Sequence, residues 1–432
     1  MTGKTMSAIP PLSAAGRLDP QTAYQRVRSS TDWLCEPLVA EDYVIQSMPD
    51  ASPIRWHIAH VTWFFETFIL LPQLSGYEVY HPQFRLLFNS YYNAVGPRWP
   101  RPLRGVLSRP TVAEIRRYRK YVDDHMQRLF DHFHNAPPKE IADLITLGCQ
   151  HEQQHQELML TDLKHAWGLN PIDPVYREVA PLRGEAPPSV WRAYPEGLAW
   201  VGHEGSDFAF DNETPRHRTL VHGYQLANRL VTNRDYLAFI NDGGYCRPEL
   251  WLSEGWNTSQ VHNWTAPLYW DFRDGDWTLF TLTGRRQVLP DEPVCHVSFY
   301  EADAFARWCG ARLPTEDEWE TAAGECPIAG HFVEGRQFHP SAVPADDDGG
   351  PLYQLHGDVW QWTGSPYIGY PGYRPVPGAL GEYNGKFMCN QFVLRGASCA
   401  TPRSHARLTY RNFFPPEARW QFSGIRLAKE LS

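Results

Sequence analysis

Cys149-Gln150-His151-Glu152-Gln153-Gln154-His155-Gln156-Glu157 is the stretch on which the fold turns. It sets two imidazoles four residues apart inside a segment that reads as one long helix. Residues i and i+4 lie one above the other on a helical face, so both rings can reach a single metal ion. Ile141, Leu144, Gly148 and Leu158 share that stripe at helical spacing, which turns the histidines into a bundle interior. Upstream, Trp56-His57-Ile58-Ala59-His60 offers a third imidazole on a second helical pattern. Two ligands on one helix and one on another describe a helix-bundle metal site with open coordination positions, as enzymes have.

Four helical patterns surround this stretch. Asp19-Pro20 makes a capped start for residues 19–34, with proline at the first helical position. Ser52-Pro53 does the same for a second helix, ended by Pro72. That helix is apolar nearly all round, through Trp56, Ile58, Val61, Trp63, Phe64, Phe65 and Phe68, and belongs inside the bundle. Residues 111–135 are amphipathic, and residues 138–167 form the fourth helix, closed by Gly168 as a C-terminal cap. The connection over residues 84–110 carries Asn89-Ser90-Tyr91-Tyr92-Asn93 and Arg98, Arg101 and Arg104; loops of that length in a compact domain are mostly functional or disordered. Residues 1–18 read as a disordered lead, 19–169 as a four-helix metal-binding domain and 170–194 as a Pro-rich linker. Residues 195–432 change to short β-like runs, Gly turns and Trp clusters, with helices opening at Ser298 and at Thr315, the latter a capping box with Glu318. The class is α+β, without internal repeats.

The chain has 432 residues, too many for one ordinary core, and a formal net charge of -9. No basic stripe offsets that charge, which argues against nucleic acid or an anionic membrane as partner. The eight cysteines show no Cys-x-x-Cys pair, as expected of reduced thiols in a cytoplasmic protein. The longest apolar run, residues 61–71, is broken by Thr62, Glu66 and Thr67 and is too short to span a bilayer.

Each motif has a plainer reading beside the functional one. His151-Glu152-Gln153-Gln154-His155 is literally the zincin string, two zinc ligands and a general-base glutamate. Its extended form needs Gly and His where this chain has Leu158 and Thr161, and a third ligand at Glu178 would sit in the linker. His60 follows Ala59, whose small side chain leaves room beside a metal, whereas His57 reads as a core histidine satisfied by a hydrogen bond. Arg101 and Arg104 are either a solvated pair or a grip for the carboxylate of an amino-acid substrate. Tyr91 and Tyr92 are either packing or phenols able to deliver a proton or an electron near dioxygen.

Five further strings lie in order along the second half: Val231-Thr232-Asn233; residues 312–320, Arg-Leu-Pro-Thr-Glu-Asp-Glu-Trp-Glu; residues 357–363, Gly-Asp-Val-Trp-Gln-Trp-Thr; residues 394–398, Leu-Arg-Gly-Ala-Ser; and residues 422–427, Phe-Ser-Gly-Ile-Arg-Leu. With the two histidine helices they make the chain resemble the iron-dependent sulfoxide synthases of ergothioneine biosynthesis, the hercynine oxygenases, over nearly all of its length. The resemblance implies a DinB-like four-helix bundle followed by a formylglycine-generating-enzyme-like domain, a C-type-lectin-like variant. It implies Fe(II) held by His60, His151 and His155, an imidazole substrate held by Gln154 and Asn412, and a thiol carboxylate bound by Arg101 and Arg104.

Two departures bear on substrate. Formylglycine-generating enzymes have a copper-binding cysteine pair where this chain has Thr401 and Ala406, which excludes that activity. Synthases using γ-glutamylcysteine resemble one another in an Asn-Trp-Asp string, which here is Asn412-Phe413-Phe414. Loss of that carboxylate favours plain cysteine, and in the cysteine-using branch the active-site tyrosine resembles Tyr91 or Tyr92. The implied reaction joins cysteine sulfur to the ring of Nα-trimethylhistidine (hercynine) and oxidises it to a sulfoxide, with dioxygen as the oxidant. Other readings are the same chemistry on γ-glutamylcysteine or unmethylated histidine, a zinc metalloprotease, and a non-catalytic lectin-like binding module.

Overall fold

A computed structural model describes residues 18–343 and 350–431; the expected lead, apart from Leu18, lies outside the described residues. Helix α1 (Pro20–Cys35) starts where Asp19 accepts a 3.0 Å hydrogen bond from the Thr22 amide. Helix α2 (Ile54–Phe65) is buried at every residue and runs on through a π-turn at Glu66–Leu70 to Gln73. Pro72 stands one residue before its end, as the expected stop requires. Pro53, not Ser52, takes the capping position of α2, because the serine is engaged elsewhere. Helix α3 (Val112–His132) begins with a capping box between Thr111 and Glu114.

Helix α4 (Lys139–Gly168) is 30 residues long and carries the histidine stretch. Gly168 is its last helical residue rather than a left-handed cap. A Cβ there would lie 2.9 Å from the Tyr269 ring, so the glycine serves close approach to the second half of the chain. Gly148 does the same job within the bundle: a Cβ would stand 2.7 Å from the Phe65 ring of α2. The expectation of one apolar stripe on α4 understates its burial. Glu152, Gln153, Gln156 and Glu157 are buried as well, because α4 is covered by the bundle on one side and by the second half on the other. The connection over residues 84–110 is not a plain loop; it contains a short helix, Phe84–Phe88, and a 3-10 stretch, Arg101–Val106.

Among the described residues the second half holds five small sheets, two of which frame it. Tyr224–Ala227 is the centre of an antiparallel trio between Trp191–Tyr194 and Ala428–Glu430. A four-stranded sheet runs Asn412–Phe414, Phe392–Arg395, Trp360–Pro366, Ser423–Gly424, its last pairing parallel. Helices Phe299–Trp308 and Glu316–Ala323 open at Ser298 and Thr315 as expected, and the capping box expected at Thr315 has a counterpart between Ser298 and Glu301. Among the described residues no helix is long and apolar enough to cross a membrane, and all eight cysteines are free.

Candidate metal centre

His60 from α2 and His151 and His155 from α4 converge, with one nitrogen of each lying within 4.8 Å of the others. His60 Nε2 and His151 Nε2 are 3.2 Å apart. Nitrogens bound cis on one metal at about 2.1 Å stand about 3 Å apart, so this spacing suits a shared ion. Burial lowers all three imidazoles: His151 falls to about 4, and His60 and His155 lie well below the ordinary histidine value. Neutral rings with free lone pairs are what a metal needs. His60 Nδ1 lies 2.5 Å from the Phe88 carbonyl, which takes its proton and turns Nε2 toward the cluster. The donor set fits a borderline transition metal and contains no carboxylate.

The zincin reading fails on Glu152. Its carboxylate faces away from the histidines and accepts from Arg28 Nη1 and Arg119 Nη2, each at 2.8 Å, and from Thr31 Oγ1 at 2.6 Å. Held by two guanidinium groups behind the helix, it cannot act as a base at the metal. Glu178 is exposed and lies outside the histidine group.

Two cavities meet beside the centre, in the seam between the halves. One, of about 410 Å³, is bordered by His151, Gln154, Phe64 and Tyr92. The other, of about 300 Å³, is bordered by Gln154, Arg101, Tyr91, Asn412, Phe413 and Phe414. Gln154 belongs to both walls, and its Nε2 donates to the Tyr410 hydroxyl at 2.8 Å. Tyr92 thus shares a chamber with His151, one of the three converging imidazoles, whereas Tyr91 stands on the Arg101 side. Burial raises the Tyr92 phenol well above its usual range, so it keeps its proton.

The two arginines are placed differently. Arg101 is half-exposed on the cavity wall, and its Nη1 donates to the Tyr91 hydroxyl at 3.3 Å. Arg104 lies behind it, buried, donating to Ser52 Oγ and Ser90 Oγ at 2.9 Å each and stacked 3.3 Å over the Trp56 ring. No carboxylate among the described residues pairs with it, and burial pushes its guanidinium down to about 9. It is a desolvated cation without a counterion.

Several site residues escape sequence reasoning. Tyr383 borders both cavities and reaches them from the second half. No motif surrounds it. Glu157 lies within the quoted histidine stretch, yet its partners are remote: Ser398 Oγ at 2.5 Å, Thr401 Oγ1 at 2.7 Å and Trp360 Nε1 at 2.8 Å. Thr401 thus stands where the resemblance places a copper-site cysteine and instead anchors α4 to the second half.

Residues 23–159 match the DinB superfamily, and residues 193–350 and 347–431 match the sulfatase-modifying factor enzyme 1-like domain. The hercynine oxygenase of Mycolicibacterium smegmatis is 32% identical over 418 residues, covering 89% of this chain and 93% of that protein. The hercynine oxygenase of Mycolicibacterium thermoresistibile is 33% identical over 419 residues, covering 89% and 88%. Ergothioneine biosynthesis protein 1 of Schizosaccharomyces pombe is 27% identical over 247 residues, which is 52% of this chain and 29% of that protein.

Proposed function

The chain belongs to the hercynine oxygenase family, and from that premise we propose that it is an Fe(II)-dependent oxidoreductase coupling cysteine to Nα-trimethylhistidine as a sulfoxide. One observation carries the reading: two buried imidazoles and one half-buried, all held neutral, converge at the edge of a cleft whose walls come from both halves of the chain. His60, His151 and His155 would hold the metal, which when bound supplies activation of dioxygen. The chain adds no anionic ligand there, so negative charge has to arrive with the thiol.

Arg101 meets the carboxylate of cysteine at the cavity wall, and Arg104 adds a second positive charge from behind. An incoming carboxylate supplies the counterion that Arg104 lacks. Gln154, aligned by Tyr410, and Asn412 from the facing strand orient the imidazole of the second substrate. Trp360, Phe413, Phe414 and Trp420 border the same chamber and offer ring faces to a trimethylammonium group. Asn412-Phe413-Phe414 presents no acid to a γ-glutamyl ammonium, which is why cysteine is preferred. Tyr92 holds a proton beside His151 and is the first choice as donor, with Tyr91 the second. Burial between the halves excludes water from both partners. One oxygen atom ends in the sulfoxide and the other in water, so no external reductant is needed. The same reading divides the chain into residues 19–169 and 195–432, joined through residues 170–194, the last four of which already pair with the second half's sheet, and places it in the cytoplasm.

Turnover under ¹⁸O₂ tests this. The expected product carries one heavy oxygen on sulfur and forms only with Fe(II) present. Peptide cleavage with zinc and without oxygen would support the protease instead.

A further inference from the structure

His57 precedes His60 by three residues on α2, is buried, and is not one of the three converging imidazoles. Both of its ring nitrogens nevertheless have partners on α4. Nδ1 lies 2.8 Å from Nδ1 of His155, and Nε2 lies 3.0 Å from Oδ2 of Asp162. The same Asp162 oxygen accepts from the Ser52 amide at 2.8 Å, which fixes the carboxylate to the start of α2. His155 and Asp162 are seven residues apart, two helical turns, so His57 fits between them like a spacer.

The protons in this chain follow from what each atom can do. A carboxylate only accepts, so the proton between His57 and Asp162 sits on His57 Nε2. A neutral imidazole holds one proton, which leaves His57 Nδ1 as an acceptor. Only His155 Nδ1–H can fill it. With its proton on Nδ1, His155 presents an unshared pair at Nε2. We propose that Asp162 and His57 are positioning residues of the metal centre, forming a relay that fixes the tautomer and ring plane of His155 so that Nε2 faces the metal. The inference rests on the reading of His60, His151 and His155 as metal ligands.

The three ligands are supported unequally. His60 leans on a backbone carbonyl, and His151 Nδ1 has no hydrogen-bond partner among the described residues. His155 alone is backed by a carboxylate, through one intervening ring. A charged outer partner raises ligand basicity, and its loss weakens metal binding about 10–100-fold. Ser52 ties the relay to the thiol side as well, since its hydroxyl accepts from Arg104. His57 is therefore the element of the centre that an inventory of ligands omits.

Two amide substitutions separate the relay from packing. An asparagine oxygen sits where His57 Nδ1 is and can still accept from His155; a glutamine amide sits nearer Nε2 and cannot. Co(II) titration of the full chain, freed of iron and followed by visible absorption, reads the difference. His57→Asn keeps the acceptor but breaks the link to Asp162, so it should bind Co(II) more weakly than the parent yet several-fold more tightly than His57→Gln, which should fall about 10–100-fold below the parent. Apoprotein melting temperatures of the two variants should agree. Equal Co(II) affinities in the two variants, whether at the parent level or both reduced, would overturn the relay. A parent chain that takes up no Co(II) would overturn the three-histidine reading itself. If neither His57 variant folds, Asp162→Asn decides: it keeps an oxygen for Ser52 and His57 but removes the charge. Weakened Co(II) binding supports the relay, and unchanged binding refutes it.

Discussion

Between His151 and His155 stands a glutamate that a metalloprotease would aim at its metal-bound water, and here it is locked behind the helix. Burial alone would raise the Glu152 carboxyl, but Arg119 and Arg28 outweigh it and bring it from 4.5 to about 2. The folded value lies below the unfolded one, so this contribution is fully present above pH 4.5 and is lost as pH falls through about 2. Glu152→Gln should cost about 1–3 kcal/mol near neutral pH in urea unfolding, because Arg28 and Arg119 lose their buried carboxylate and keep only the outer Asp123 and Asp32. The same variant should also flatten the acid limb of the stability curve. At the cleft, Arg104→Leu should raise KM for the thiol far more than for the imidazole substrate, and equal effects on both would remove the carboxylate assignment. Tyr92→Phe should divert turnover from C–S coupling toward simple thiol oxidation; if neither it nor Tyr91→Phe changes the product ratio, the proton-donor role is wrong. The His-x-x-x-His spacing was legible in the sequence because helical geometry is local. The role of His57 was not. A hydrogen-bonded core histidine was expected, and the ring is hydrogen-bonded, but its partner is His155, one of the three converging imidazoles, which only tertiary structure brings near.

At the scale of elements, the close crossing of α2 and α4 sets the distance between His60 and His151. Gly148 permits that crossing, since a Cβ would already press on Phe65 and Phe64. Gly148→Leu should destabilise the fold by about 1–3 kcal/mol through overpacking. It should also weaken Co(II) binding, because α2 must move away and carry His60 with it. Starts of helices read well from sequence: Asp19, Ser298 and Thr315 each cap where their residue types suggest. Stops read less evenly. Gly168 looked like a C-cap and proved to be a contact glycine, whereas Pro72 does stand within a residue of its helix's end. Periodicity marks an apolar face but is silent about polar residues that another part of the chain will cover, so it gives no sign that Gln153, Gln156 and Glu157 are buried on α4.

For the molecule as a whole, α4 belongs to both halves at once. Glu157 takes three hydrogen bonds from the second half with no cation beside it among the described residues, and burial raises its carboxyl above the ordinary value. Removing it in Glu157→Ala leaves Ser398, Thr401 and Trp360 without their acceptor, at about 1–3 kcal/mol for each buried group left unsatisfied. Calorimetry should then show the single unfolding transition of the parent split in two, with the bundle and the second half melting separately. The architecture was legible from motif strings spread over the whole chain, whereas the seam was not, because its hydrogen bonds join residues more than two hundred positions apart. Tyr383 stayed hidden for the same reason. The central claim is most directly tested by oxygen uptake of the Fe(II)-loaded protein with Nα-trimethylhistidine, comparing cysteine with γ-glutamylcysteine. The account predicts uptake with cysteine, in step with a coupled sulfoxide product and faster than with γ-glutamylcysteine; no uptake with either thiol would contradict it.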